Sequence, residues 1–197
     1  MLIFYSRFWY RFIPDNIALI QNETGERAYK KIEPRISEFT GKVFLDICKQ
    51  YLWKLNAAEE SPVDFLSIGR WCGNDSLKKQ KAEIDFLAFD AKKHAIFGEC
   101  KWTNEKIGTD VPEALIERSR LFGYPKKYFF LFAKTGFTGK LISEAAAAGD
   151  VTLTAFDDIY IIIKTGHDQP SSAGREHHPV CCRQFRSCDE PIKVKGA

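Results

Sequence analysis

Apolar positions recur at three- and four-residue steps from Pro34 to about Leu55. Ile36, Phe39, Val43, Phe44, Ile47, Tyr51 and Leu52 form one stripe, and this spacing predicts a helix. The preceding segment, residues 21–33, is polar and contains Gly25, so it reads as a loop or an irregular helix. Residues 1–20 are aromatic, end at Ile13-Pro14-Asp15-Asn16, and are too short to fold alone. After a polar break over Asn56–Pro62, three strand-like runs follow: Val63–Trp71, closed by the turn-type residues Gly73-Asn74-Asp75, then Ala82–Phe89 and Ala95–Trp102. The polar stretch Asp90–His94 between the last two predicts a hairpin. A helix is expected over 110–123, with Asp110 as N-cap and Pro112 in the first turn. The continuous apolar run in Lys127–Ala133 predicts a strand covered on both faces. A helix over Thr138–Ala148 ends at Gly149, and strands follow at Val151–Ala155 and Tyr160–Ile163. This order predicts an α/β fold, a mixed sheet with helices on both faces.

Composition narrows the picture. A chain of 197 residues with 45% hydrophobic content can bury one sizeable core but not two full domains. No apolar run approaches the roughly 20 residues needed to span a bilayer, so no membrane partner is expected. Lys and Arg exceed Asp and Glu by 29 to 26, a net charge of +3, which excludes a strongly cationic nucleic-acid coat but leaves room for a local basic patch. Arg7 and Arg11 interrupt the apolar amino end, so it does not read as a signal peptide. Cys48, Cys72 and Cys100 lie singly in ordered elements and read as reduced thiols, which predicts a cytoplasmic protein. From about Gly166 the periodicity ends. Residues 166–197 are expected to form a flexible tail, where His177, His178, Cys181, Cys182 and Cys188 fit no paired zinc-ligand spacing.

Candidate chemistry lies on the two strands of the hairpin. Side chains alternate along a strand, so Glu83 and Asp85 should share one face and Ile84 and Phe86 the other; Glu99 and Lys101 should likewise share a face, with Cys100 pointing away. Ionised groups in otherwise apolar strands are costly unless they pair or hold a metal. Asp85 and Glu99 offer hard oxygens suited to Mg²⁺ or Mn²⁺, and Lys101 could hold an attacking water or steady charge on a phosphate. The competing reading is a salt-bridged polar face of a half-exposed hairpin. Arg70 and Trp71 could meet a phosphate and a base, or form an Arg–carboxylate pair above a packed Trp. Arg118 and Arg120, on a helix near the presumed site, are expected on its solvated face; Lys78, Lys79 and Lys81 form a short basic run that reads as soluble surface, with a DNA-backbone contact as the alternative. His94 is given no catalytic role.

Asp85, a gap of thirteen residues and Glu99-Cys100-Lys101 on adjacent strands after a helix resemble the PD-(D/E)XK nuclease superfamily. The blocks RFWYRFIPDN, FTGKVFLDICKQYL, IGRWCGN and EIDFLAFD…IFGECKW, in this order over roughly residues 4–165, closely resemble the C-terminal domain of unknown function of archaeal and bacterial DEXX-box ATPases. The resemblance implies a restriction-endonuclease-like core over 34–165, with an aromatic extension over 1–33 and the tail over 166–197. It also implies a Mg²⁺- or Mn²⁺-dependent endodeoxyribonuclease-like activity on DNA. By this resemblance Asp85 and Glu99 would hold the metal, with the backbone carbonyl of Cys100 as a further ligand, and Lys101 would assist the water; Arg70 and Trp71 stay candidates for nucleic-acid contact on their chemistry alone. Members of that family usually carry an ATPase and a winged helix, and this chain has no GxxxxGK[ST] motif. A truncated or stand-alone module is therefore expected. The family often has a Glu directly after the Phe of the first helix, where this chain has Leu45, with Asp46 the nearest acid. That departure favours the alternative of a catalytically inactive regulatory or interaction module; a truncated gene fragment is a third reading.

Overall fold

In the computed structural model, residues 2–22, 24–75 and 79–159 are described. The strand expected at Tyr160–Ile163 and the Cys- and His-containing tail lie outside them. The chain divides into two compact units, Met1–Ile47 and Cys48–Ala197.

The first unit is helical. Helix α1 spans Leu2–Phe12, a 3-10 turn Pro14–Asn16 follows, and α2 spans Ile17–Gln21. Helix α3 spans Gly25–Ala57, so its first two-thirds belong to this unit. Of the loop or irregular helix expected over 21–33, helix is what forms: α3 begins nine residues before Pro34. Ala28 and Ile32, both buried, extend the four-residue spacing of Ile36 backwards. The proline removes one N–H whose partner carbonyl would be that of exposed Lys30, which water can satisfy. Phe12, buried against Phe8 and Phe39 with ring centroids 5.1 and 5.4 Å away, anchors the unit. Arg7 pairs with Asp46.

The second unit is built on a five-stranded sheet in the order β1-β2-β3-β4-β5: Ile68–Asp75, Gln80–Phe89, His94–Lys101, Lys126–Ala133 and Val151–Ala155. The first three strands are antiparallel, and β3, β4 and β5 are parallel. Helix α4 (Asp110–Ser119) makes the first parallel crossover and α5 (Gly139–Ala148) the second. Thr138 caps α5 by accepting from Leu141 N, and Gly149, at φ 74°, ends it. The expected mixed α/β sheet is thus present. Strand β4 is interior, between β3 and β5, and Phe130–Ala133 are buried as its continuous apolar run requires. On one face Leu87, Phe97, Phe129 and Leu131 pack with Leu115 of α4 and Leu141 of α5. On the other, the ring of Phe132 meets Tyr51 of α3 at 5.9 Å and Phe86 at 5.6 Å, both edge-on.

Two sequence expectations change here. Gly73-Asn74-Asp75 do not turn; they continue β1, opposite Ala82, Lys81 and Gln80. Gly73 is needed there because a Cβ would strike the indole of Trp71. The strict alternation expected along β2 also fails. Between Gly69 and Trp71 the register with β2 shifts: Gly69 faces Leu87, but Trp71 faces Ile84, so Asp85 and Phe86 together oppose Arg70. This β-bulge brings Ile84 into the cluster with Leu87, while Phe86 packs on Phe132, so Ile84 and Phe86 do not share a face.

Gly98 lies opposite Phe86 in the β2–β3 ladder, and a Cβ there would stand 2.6 Å from Cδ2 and 3.0 Å from Cβ of Phe86. Gly98→Ala is therefore expected to cost about 1–3 kcal/mol by overpacking, read as a lower urea midpoint with unchanged slope. An unchanged midpoint would show that Phe86 has room to move.

Candidate active site

The site forms where β2 and β3 part. Their ladder runs from Phe89↔Ala95 to Phe86↔Gly98 and stops. The next residues are Asp85 and Glu99. Because β2 bulges at Asp85-Phe86, the Cys100 N–H donates to Asp85 Oδ2 at 2.9 Å. A bulge beside such a pair re-aims a side chain that regular pleating would hold in the ladder. Strand β3 continues to Lys101 by pairing with β4, so Glu99 and Lys101 stay on a rigid central strand.

Glu99 is buried. Lys101 Nζ donates to its Oε1 at 2.6 Å, and the Arg118 guanidinium lies 3.2 Å from its Oε2. That Oε2 nevertheless accepts no hydrogen bond from any described residue. Burial, and next the negative charge of Glu99, push the Asp85 carboxyl above its usual range; the Cys100 N–H, Lys101 and Arg70 pull it back. The two carboxylates therefore share one electrostatic environment. Burial, and next the neighbouring thiol of Cys48, raise the Cys100 thiol well above its ordinary range, so it is an inert group on the opposite face of β3.

The hairpin turn holds this arrangement at its far end. His94 N donates to Asp90 Oδ1 at 2.8 Å, and the His94 ring lies 3.1 Å from Asp90 Oδ2. His94 therefore has a structural role.

Arg70 pairs with Glu83, which also accepts from Cys72 Sγ at 3.3 Å. Trp71 packs edge-on against Phe122 at 4.9 Å. This is the Arg–carboxylate pair beside a packed Trp that the sequence left open. Among the basic residues, Lys79 and Lys81 lie in the β1–β2 connection and on β2, while Lys78 is outside the described residues. Asp46 is engaged by Arg7 within the first unit.

Arg118 departs from its expected place. It is not on a solvated face: its Nε donates to Ala114 O at 3.1 Å, one Nη donates to the Glu83 carbonyl, and the same nitrogen faces Glu99. The signal was present in the sequence, since Leu115, Arg118 and Ser119 share one stripe of α4 and the other two are buried.

A small divalent cation fits this donor set. Two hard carboxylates converge, one with an oxygen lacking a donor, and Mg²⁺ commonly takes only one or two carboxylates with water and phosphate oxygens completing its shell. Among the described residues no group of three or more His, Cys, Asp and Glu gathers in metal-binding geometry. No helix of the described residues is long and apolar enough to cross a membrane.

Comparisons place the hairpin inside a known family. The model of DUF234, archaeal and bacterial proteins of unknown function, matches residues 9–111, just over half the chain. An uncharacterized protein of Methanocaldococcus jannaschii is 32% identical over 133 residues, which is 64% of this chain and 28% of that protein. The chain thus spans little more than a quarter of that relative's length. No solved structure matches.

Proposed function

This chain belongs to the DUF234 family, and on that premise we propose that its second unit is a metal-dependent nuclease-like module that hydrolyses DNA phosphodiesters. The observation that carries the reading is the bulge that turns Asp85 toward β3 beside buried Glu99, with Lys101 two residues on. The resemblance of these residues to the PD-(D/E)XK pattern, and of the chain to the C-terminal domain of DEXX-box ATPases, supports it. So does the greater length of the archaeal relative, which leaves room for an ATPase and a winged helix as partners.

In this reading Asp85 and Glu99 hold Mg²⁺ or Mn²⁺ through carboxylate oxygens, with the Cys100 carbonyl as a further ligand. A bound Mg²⁺ supplies charge stabilisation at the phosphate and lowers the pKa of a bound water. Lys101 keeps its ammonium at Glu99 Oε1 while its side chain is 38% exposed, so it can donate to a phosphate oxygen or orient a water. Arg70 remains half exposed and available to a phosphate once released from Glu83.

A second reading has its own observation. Lys101 and Arg118 already neutralise Glu99, as they would in a closed ion network of a regulatory module. Plasmid cleavage in Mg²⁺ or Mn²⁺ separates the two. Lys101→Ala is expected to cut the rate by about a hundredfold or more while Mn²⁺ binding persists. Cleavage by Lys101→Ala at the wild-type rate, or no cleavage and no metal-linked stabilisation by the wild type, would favour the regulatory module.

A further inference from the structure

Beyond Phe86 and Gly98 the backbone ladder no longer joins β2 to β3, yet this stretch carries Asp85 and Glu99. Two links span it among the described residues. One is the Cys100 N–H to Asp85. The other is Arg118, which reaches from α4 to the Glu83 carbonyl on β2 and to Glu99 Oε2 on β3.

The guanidinium suits this task. Its Nε is bonded back to its own helix, which leaves one Nη to donate to the carbonyl on one strand while lying 3.2 Å from the carboxylate on the other; a lysine ammonium has no second nitrogen to anchor it in this way. Its own helix fixes its direction through Nε to Ala114 O. The helix in turn is anchored by Leu115, which is fully buried, and by the Ser119 carbonyl, which accepts from Lys127 at 2.6 Å.

We propose that Arg118 is the positioning residue of the site, a strap that takes over where the ladder ends and sets the approach of Asp85 to Glu99. It acts through Glu83 and Glu99. As the element that sets metal-holding geometry, it rests on the nuclease-like reading above. Arg118 also lies beyond residue 111, so the family match does not reach it.

The test uses the full chain, labelled with ¹⁵N. Amide exchange at Cys100 reports directly on its bond to Asp85, and calorimetric titration with Mn²⁺ reports on the carboxylates. In Arg118→Met, Cys100 is expected to exchange at least about tenfold faster, while Ile96 and Phe97 in the hairpin ladder stay protected. Mn²⁺ affinity should fall about ten- to a hundredfold, as it does when an outer partner of a metal ligand is lost. Arg118→Lys keeps the charge near Glu99 but not the two-point hold, so it should resemble the Met variant; it carries the test alone if the Met variant does not fold. Wild-type exchange at Cys100 in either variant would overturn the strap, whatever happens to cleavage. Faster exchange in the variants, with a wild type that neither binds Mn²⁺ nor cuts DNA, would uphold the strap and overturn the nuclease-like reading.

Discussion

Asp85→Asn is expected to make the protein more stable at pH 7 and at the same time to abolish Mg²⁺-dependent cleavage. The stability half follows from linkage. Burial first, then Glu99, raises the Asp85 carboxyl above its usual 3.8. A carboxyl whose native value is raised favours the fold when protonated. Its contribution is fully present below the unfolded value and is lost as pH rises through the native one, so the ionised group costs stability at neutral pH. Asparagine carries no charge and keeps an oxygen for the Cys100 N–H. In chelator at pH 7 it should therefore gain on the order of 1 kcal/mol, the scale on which active-site residues trade stability for function. The gain should shrink on acidification toward 3.8, as the wild-type carboxyl takes up its own proton. The rate of plasmid nicking should fall by roughly a thousandfold or more, because a neutral amide is a poor ligand for a hard cation. Thermal unfolding at two pH values and a nicking assay suffice. A salt-bridged surface hairpin predicts the reverse, a lower melting temperature with cleavage, if any, untouched.

Phe132→Ala should give the largest loss of stability. The ring is fully buried and touches Tyr51 and Phe86 edge-on, so removing it leaves a cavity between α3 and the sheet. Such truncations cost about 3–5 kcal/mol. For a chain of this size that lowers the melting temperature by roughly 10 °C. A loss below about 1 kcal/mol in urea titration would mean that the neighbouring rings collapse into the space. Phe132 also sits in register with Cys100, so this loss of packing falls directly behind the site.

The apolar run of β4, the end of α5 at Gly149 and the Asp90–His94 hairpin follow from local chemistry, and the structure has all three at the expected positions. Asp85, Glu99 and Lys101 were recognisable because charges in apolar strands are conspicuous. The bulge was not recognisable. It arises from a mismatch of one residue between β1 and β2, a property of pairing that neither strand carries alone. Gly73 reads as a turn residue in the sequence, yet it and Gly98 each answer to one aromatic ring, Trp71 and Phe86, and that need appears only once the rings are placed. Arg118 reads as surface because a long basic side chain is usually solvated, and its partners lie 19 and 35 positions earlier. Pro34 hid the start of α3 because proline's effect depends on whether the carbonyl one turn back can reach water.

The hairpin also bears on chain entropy. The Asp85–Cys100 bond spans only 15 positions, and a tight turn already holds both strands at its other end. Convergence of the two carboxylates thus requires little loop closure beyond what the hairpin itself requires, and lengthening the connection would add only about 0.6 kcal/mol per doubling. The ionic chemistry of Asp85, Glu99 and Lys101 is carried on one short stretch of chain, while the distant helix contributes alignment.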